Sequence, residues 1–292
     1  MNRIKGILYA AVSSSTFGLA PFFSITLLLA GFSAFEVLSY RWGVAAIVLT
    51  LFGWCSGCNF RLAKKDLLVV FLLSLLRATT SFSLLIAYQN IATGVASTIH
   101  FMYPLAVALA MMFFFREKKS LLVILAVLMS LLGAALLSLG ELEAKSGNTM
   151  VGLVAACVSV FSYAGYIVGV RTTRAVQINS TALTCYVMGL GTIFYLIGAY
   201  CTSGLQLVSD GYTWLIILGL ALPATAISNI TLVQAIKYAG PTLTSILGAM
   251  EPLTAVVIGV FVFEEFFTVN SAIGIILILI AVSLVIFRKP KN

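Results

Sequence analysis

The chain has 292 residues, of which 61% are apolar and 9% charged, against about 25% charged in an ordinary soluble domain. With a mean hydropathy of +1.12, this composition excludes a soluble globular protein, which needs a polar shell; lipid is the solvent it fits. The net charge of +8 would suggest nucleic acid for a soluble chain, but its distribution here has another cause.

Apolar segments alternate with short polar breaks. They predict an all-α integral membrane protein of ten transmembrane helices, at 5–29, 34–55, 66–88, 93–115, 120–140, 150–170, 180–202, 212–236, 240–262 and 270–287. Each approaches the roughly 20 residues that span a bilayer, and no room is left for a separate soluble domain. The first span follows MNRIKG and is read as retained, because its long run is interrupted by Ser13, Ser14 and Ser15. The second carries Arg41 and closes on WCSGC. Cys55 and Cys58 there lack the βαβ context of a redox motif and the further ligands of a zinc site. The odd count of five cysteines argues against a disulfide scaffold, and no metal or cofactor is expected. The third span holds Arg77, and the fourth holds His100, Tyr103 and Pro104. The sixth holds Tyr163 and Tyr166, the eighth Asn229, and the ninth Glu251 and Pro252.

Ten spans place both termini on one side. If that side is the cytoplasm, 14 of the 17 Lys and Arg residues lie inside, only Lys145 lies outside, and Arg41 and Arg77 sit within helices. The reverse orientation inverts this asymmetry, so the positive-inside rule supports both the count and a multi-pass inner-membrane topology with cytoplasmic termini. It also accounts for the basic balance with lipid as partner and no nucleic acid.

The chain repeats itself. A shift of 148 lays Ala87, Ser97, Pro104, Phe113 and Glu117 on Ala235, Ser245, Pro252, Phe261 and Glu265. A shift of 146 lays Gly6, Ala10, Val12 and Ser13 on Gly152, Ala156, Val158 and Ser159. The units expected are 1–148 and 149–292. Each holds five helices, an odd number, so the second enters the membrane upside down. Such inverted repeats are a common transporter plan, with the site between them near the midplane.

The stretches AYQNIATGVASTIHFMYPLAVALAMMFFFREKKS and AIKYAGPTLTSILGAMEPLTAVVIGVFVFEEFFT resemble the two EamA-type repeats of the drug/metabolite transporter superfamily. Pro104 with Glu117, and Pro252 with Glu265, match its mid-helix Pro and closing Glu. Arg41 in YRWGVAAIVL resembles the family's Arg in the second helix, while the corresponding region of the seventh, around Tyr186 and Val187, has none. The resemblance implies ten helices, a central cavity bounded mainly by spans 1, 3, 4, 6, 8 and 9, and metabolite transport, often export.

Ionisable groups inside a bilayer cost about 2.5–3.5 kcal/mol each at a helix centre and are functional candidates by default. Arg77 and Glu251 each lie eleven residues into a span that starts inside, hence at similar depth near the midplane. Two readings stay open: a buried ion pair that fixes packing, and a binding site with Arg77 for a carboxylate or phosphate and Glu251 for an amine or a coupling proton. Polar or small stripes at helical spacing run beside them: Ser74–Arg77–Ser81, Thr244–Gly248–Glu251, Ser159–Tyr163–Tyr166, Tyr9–Ser13–Thr16 and Thr225–Asn229. They read either as close packing or as the walls of a pocket. His100 reads as a hydrogen-bonded structural residue or a proton shuttle. Tyr103, Tyr163, Tyr166 and Phe17 are candidates to stack on a flat substrate. Arg41, nearer the outer surface, reads as structural or gating, with a side chain long enough to snorkel; Pro104 and Pro252 are likewise structural.

The function expected is secondary transport, export as the resemblance implies, of small metabolites such as amino acids. No G-x-x-x-x-G-K-[ST] phosphate loop is present to couple ATP. The alternatives are transport of a cationic drug or nucleobase-like metabolite, an intramembrane enzyme pairing Ser13–Ser15 with His100, and a passive channel.

Overall fold

The computed structural model describes residues 2–117, 120–138, 147–202, 204–254, 257 and 268–286. Among them there are helices and no strands, as expected where lipid leaves backbone groups no partner outside their own segment. In chain order the helices are α1 (Asn2–Phe17), α2 (Ala20–Leu29), α3 (Ala34–Cys55), α4 (Lys64–Asn90), α5 (Thr93–His100), α6 (Tyr103–Phe113) and α7 (Leu121–Ser138). There follow α8 (Thr149–Thr172), α9 (Ser180–Thr202), α10 (Gly211–Ala221), α11 (Ser228–Ala239), α12 (Pro241–Leu247) and α13 (Val269–Ile286).

Among the described residues, seven helical segments are long and apolar enough to cross a membrane. They are Arg3–Leu29, Ala34–Cys55, Lys64–Asn90, Val95–Phe113, Thr149–Thr172, Ser180–Thr202 and Gly211–Ala239. Leu121–Leu136 and Ala272–Leu284 are apolar but shorter. The ninth predicted span, 240–262, lies only partly within the described residues.

Three predicted spans are interrupted. Span 1 breaks between α1 and α2 at Gly18–Leu19, with Pro21 in the first turn of α2. Span 4 breaks at Phe101–Met102, ahead of Pro104 in the first turn of α6. The described part of span 9 turns at Gly248–Ala249 before helix resumes over 250–254, which holds Pro252. Proline lacks an amide hydrogen and crowds the carbonyl four residues back, so it is tolerated where a helix starts. Span 8 is different: α10 and α11 are joined by a π-helical turn over Leu222–Ile227 that contains Pro223.

The helices pack across the two halves of the chain. α1 lies on α11, α4 on α8, α3 on α9, α7 on α13 and α6 on α12. Exchanging the halves turns α4 on α8 into α11 on α1 and leaves α3 on α9 and α7 on α13 unchanged. Ring contacts tie α3 to its neighbours: Trp42 meets Tyr195 of α9 edge-on at 5.2 Å, and Phe35 stacks on Phe82 of α4 at 4.6 Å. The polar residues described next sit inside this packing, not on its lipid face.

Candidate functional site

Arg77 is the central residue of the 27-residue helix α4, so at 1.5 Å per residue it stands about 20 Å from either end. It is 1% exposed. Its polar face is held inward by neighbours: Ser74 Oγ donates to the Val187 carbonyl at 2.9 Å. Arg77 Nε donates to Asn229 Oδ1 of α11 at 3.0 Å and Nη1 to Ser81 Oγ at 3.3 Å. Aromatic faces enclose the guanidinium. Its Cζ lies 5.4 Å from the Phe17 ring centre, 5.0 Å from Tyr163 and 5.9 Å from Tyr166. Cation–π attraction strengthens when desolvated, to about 2 kcal/mol per contact.

The π turn supplies the other wall. A π turn widens the helix and leaves carbonyls free for other donors. Thr225 Oγ1 donates to the Leu220 carbonyl at 2.8 Å and accepts from Arg41 Nε at 2.6 Å. Arg41 Nη2 also reaches the Ala224 carbonyl at 3.4 Å. Asn229 Nδ2 donates to the Thr225 carbonyl at 2.7 Å, which fixes the amide so that its oxygen faces Arg77. One polar chain therefore runs Arg41–Thr225–Asn229–Arg77 through the turn. Ser13 Oγ donates to the Ser228 carbonyl at 2.8 Å, pinning α1 to α11 beside it. Arg41 is thus not snorkelling to an outer surface. It is 6% exposed, its Cζ lies 5.5 Å from the Phe17 ring centre, and the acceptors at Ala224 and Thr225 hold it inside.

His100, Tyr103 and Tyr163 form a ring cluster next to Arg77. His100 stacks on Tyr163 at 5.4 Å and 22°, and Tyr163 meets Tyr103 at 4.6 Å. His100 Nδ1 lies 2.8 Å from Ser159 Oγ, whose single hydrogen goes to the Ala156 carbonyl at 2.6 Å. Nδ1 must then be the donor, and Nε2 is a buried acceptor without a partner. Since Ser13 is engaged with Ser228, the Ser13–His100 pairing of the intramembrane-enzyme alternative is not formed. The Tyr166 hydroxyl and Thr244 Oγ1 are also buried without partners.

Glu251 approaches the cluster without joining it. It is partly buried and within electrostatic range of Arg77 and Arg41, but no ion pair links it to either. The ion pair found among the described residues is Arg174–Asp66 at the surface, 2.8 Å. Two glycines bring the broken helices to it. A Cβ on Gly18 would lie 2.7 Å from the Glu251 carbonyl and 2.9 Å from Thr254 Cβ, so only glycine lets the α1–α2 break press against this segment. A Cβ on Gly248 would collide with the Tyr103 hydroxyl. Pro104 sits in the first turn of α6 beside Tyr103 and Pro252 directly after Glu251, so both mark where the helix restarts.

A cavity of about 20 Å³ opens between the α1–α2 break, α3 and α4, walled in part by Phe17, Ser24, Arg41, Arg77, Ser81 and Tyr88. That is room for a water, well below the roughly 300–1,000 Å³ of small-molecule pockets. Of the residues singled out in the sequence, Arg77, Asn229, His100, Tyr103, Tyr163 and Tyr166 come together. Ser13 lies one hydrogen bond away, and Glu251 lies within electrostatic range but forms no ion pair with Arg77 or Arg41. Sequence reasoning passed over Pro223 and Ser228, although a proline inside LALPATAISN, followed by Thr225, Ser228 and Asn229, is a signal for a disturbed, polar turn. Among the described residues no group of His, Cys, Asp or Glu is arranged to hold a metal.

The model of the EamA-like transporter family matches twice, over residues 4–139 and 150–287. No curated protein matches the chain. A protein of known crystal structure superposes on it with a TM-score of 0.80, at 17% identity, over 97% of this chain and 96% of the other. At that identity the likeness speaks for the fold alone.

Proposed function

We propose that this chain, which belongs to the EamA-like transporter family, is a secondary transporter that exports small metabolites such as amino acids across the cytoplasmic membrane. In this reading it has ten spans, arranged as two inverted units that meet near residue 148, with both termini cytoplasmic. The halves rock about a central site and open it to either side in turn.

The observation that carries the reading is the buried chain Arg41–Thr225–Asn229–Arg77. It joins helices of both repeats at the middle of α4, where a charge is costly unless used. Arg77 would take a carboxylate, and Glu251, in no ion pair among the described residues, would take an amine or a coupling proton. A flat, nucleobase-like substrate is the second reading, favoured by the ring cluster of His100, Tyr103 and Tyr163.

The test is flux of a labelled amino-acid and metabolite panel into proteoliposomes, with Arg77→Ala and Glu251→Gln beside the parent. Saturable flux of one compound, lowered about tenfold or more in both variants, is the expected result. Flux that is saturable but unchanged in both would leave transport and remove the two residues from the site; non-saturable flux would mean a channel.

A further inference from the structure

The buried cations are only partly used by the protein. Arg41 donates from Nε and Nη2, and Arg77 from Nε and Nη1. Arg41 Nη1 and Arg77 Nη2 have no acceptor among the described residues. Both side chains line the same cavity, on which the Phe17 ring also opens. No Asp or Glu is among its walls, and Glu251 is not one of them.

Guanidinium groups stay protonated in proteins. Two of them about one ring repel each other, and in a low-dielectric interior the remedy is an anion. The guanidinium edge offers parallel N–H donors that fit the two oxygens of a carboxylate or phosphate, which a neutral hydroxyl or amide matches less well.

We infer that the Arg41–Arg77 cavity is an oxyanion subsite, and that the substrate is a net anionic metabolite whose carboxylate or phosphate is held by Arg41 Nη1 and Arg77 Nη2 together. The word substrate rests on the transporter reading; the binding does not. Arg41 thereby moves from a structural or gating role to direct recognition. Within these walls a cation would meet two positive charges, with Glu251 in electrostatic range of both but outside the cavity, and a zwitterion neutralises the two guanidinium groups less well than a dianion. Binding requires the cavity to widen beyond room for a single water.

The experiment is a thermal-shift titration of the purified full chain in nanodiscs with succinate, inorganic phosphate, succinamide, alanine and lysine, with flux measured in parallel. Succinate and phosphate should raise Tm saturably, as ligands of the folded state do, whereas succinamide and lysine should not and alanine should do so more weakly. Arg41→Gln and Arg77→Gln should each weaken succinate binding about tenfold or more. Arg41→Lys keeps the charge and should retain the preference for succinate over succinamide at lower affinity, which serves if the Gln variant does not fold.

No saturable shift with either anion overturns the subsite. So does an equal shift with succinamide or alanine, or parental affinity in a folded Arg41→Gln. Anion binding without flux leaves the subsite standing and overturns the transporter reading. Flux of zwitterions or cations without anion binding does the reverse.

Discussion

Arg41 donates to Thr225 at 2.6 Å, and Thr225 is the residue 148 positions beyond Arg77, the offset at which the two halves of the chain align. One repeat supplies a cation at that position and the other supplies the acceptor for a second cation. Two similar sequences have become chemically complementary there.

Thr225 should therefore tolerate only a hydroxyl. Thr225→Val keeps the shape but strips Arg41 of its acceptor and the Leu220 carbonyl of a donor. Leaving buried polar groups unmatched costs about 1–3 kcal/mol. Thermal unfolding in nanodiscs should show Thr225→Val clearly lowered and Thr225→Ser near the parent. A Val variant as stable as the parent would show that the π turn does not depend on this contact.

Gly248 and Tyr103 should be coupled. Gly248→Ala drives a methyl group into the Tyr103 hydroxyl, and overpacking of this kind costs about 1–3 kcal/mol. Tyr103→Phe removes that oxygen and should recover part of the loss. The check is a double-mutant cycle on Tm, in which strict additivity would mean that the two residues do not meet.

Asp210 caps α10 by accepting the Thr213 amide at 2.7 Å, and that backbone bond holds its carboxylate below the ordinary range. A depressed pKa makes the contribution complete above the unfolded value and lost as pH falls through the folded one. Tm measured from about pH 7 to about pH 3 should fall more steeply in the parent than in Asp210→Asn, which still caps. Asp210→Ala should be lower already at neutral pH. Identical pH profiles for parent and Asn variant would remove the capping carboxylate from the acid response.

The proposed topology has natural probes. Cys55 ends α3 and Cys201 lies one residue from the end of α9, and both are exposed. With cytoplasmic termini they fall on opposite faces. In single-cysteine variants, a membrane-impermeant maleimide added to intact cells should label Cys201 and spare Cys55 until the membrane is opened. The reverse pattern would invert the orientation.

Much of the helical layout was legible because apolar length is a direct consequence of bilayer thickness. The predicted spans 34–55 and 180–202 coincide with α3 and α9. The breaks were not legible from hydropathy, which is blind to a turn at Gly18, Phe101 or Gly248, since each keeps the segment apolar. Proline at positions 21, 104 and 252 was the available signal for these breaks, and Pro223 for the π turn. At the site, polar stripes pointed to the right faces, so Arg77, Asn229 and the tyrosines were found. The pairing was not legible: a shared depth suggested Arg77 with Glu251, while the structure gives Arg77 to Asn229. Depth fixes only one coordinate, and the rotation of each helix decides which side chains meet.

The packing of each half on the other has a consequence for biosynthesis. Arg77 is inserted 152 residues before its acceptor Asn229, and Arg41 even longer before Thr225. At about 5–20 residues per second, the ribosome needs roughly 8–30 s to make Asn229 after Arg77. For that interval the early helices stand in the bilayer with two cations and no native acceptor from α10–α11. The nascent protein must shelter them, at the translocation machinery or near lipid headgroups, until the second half arrives to take them in.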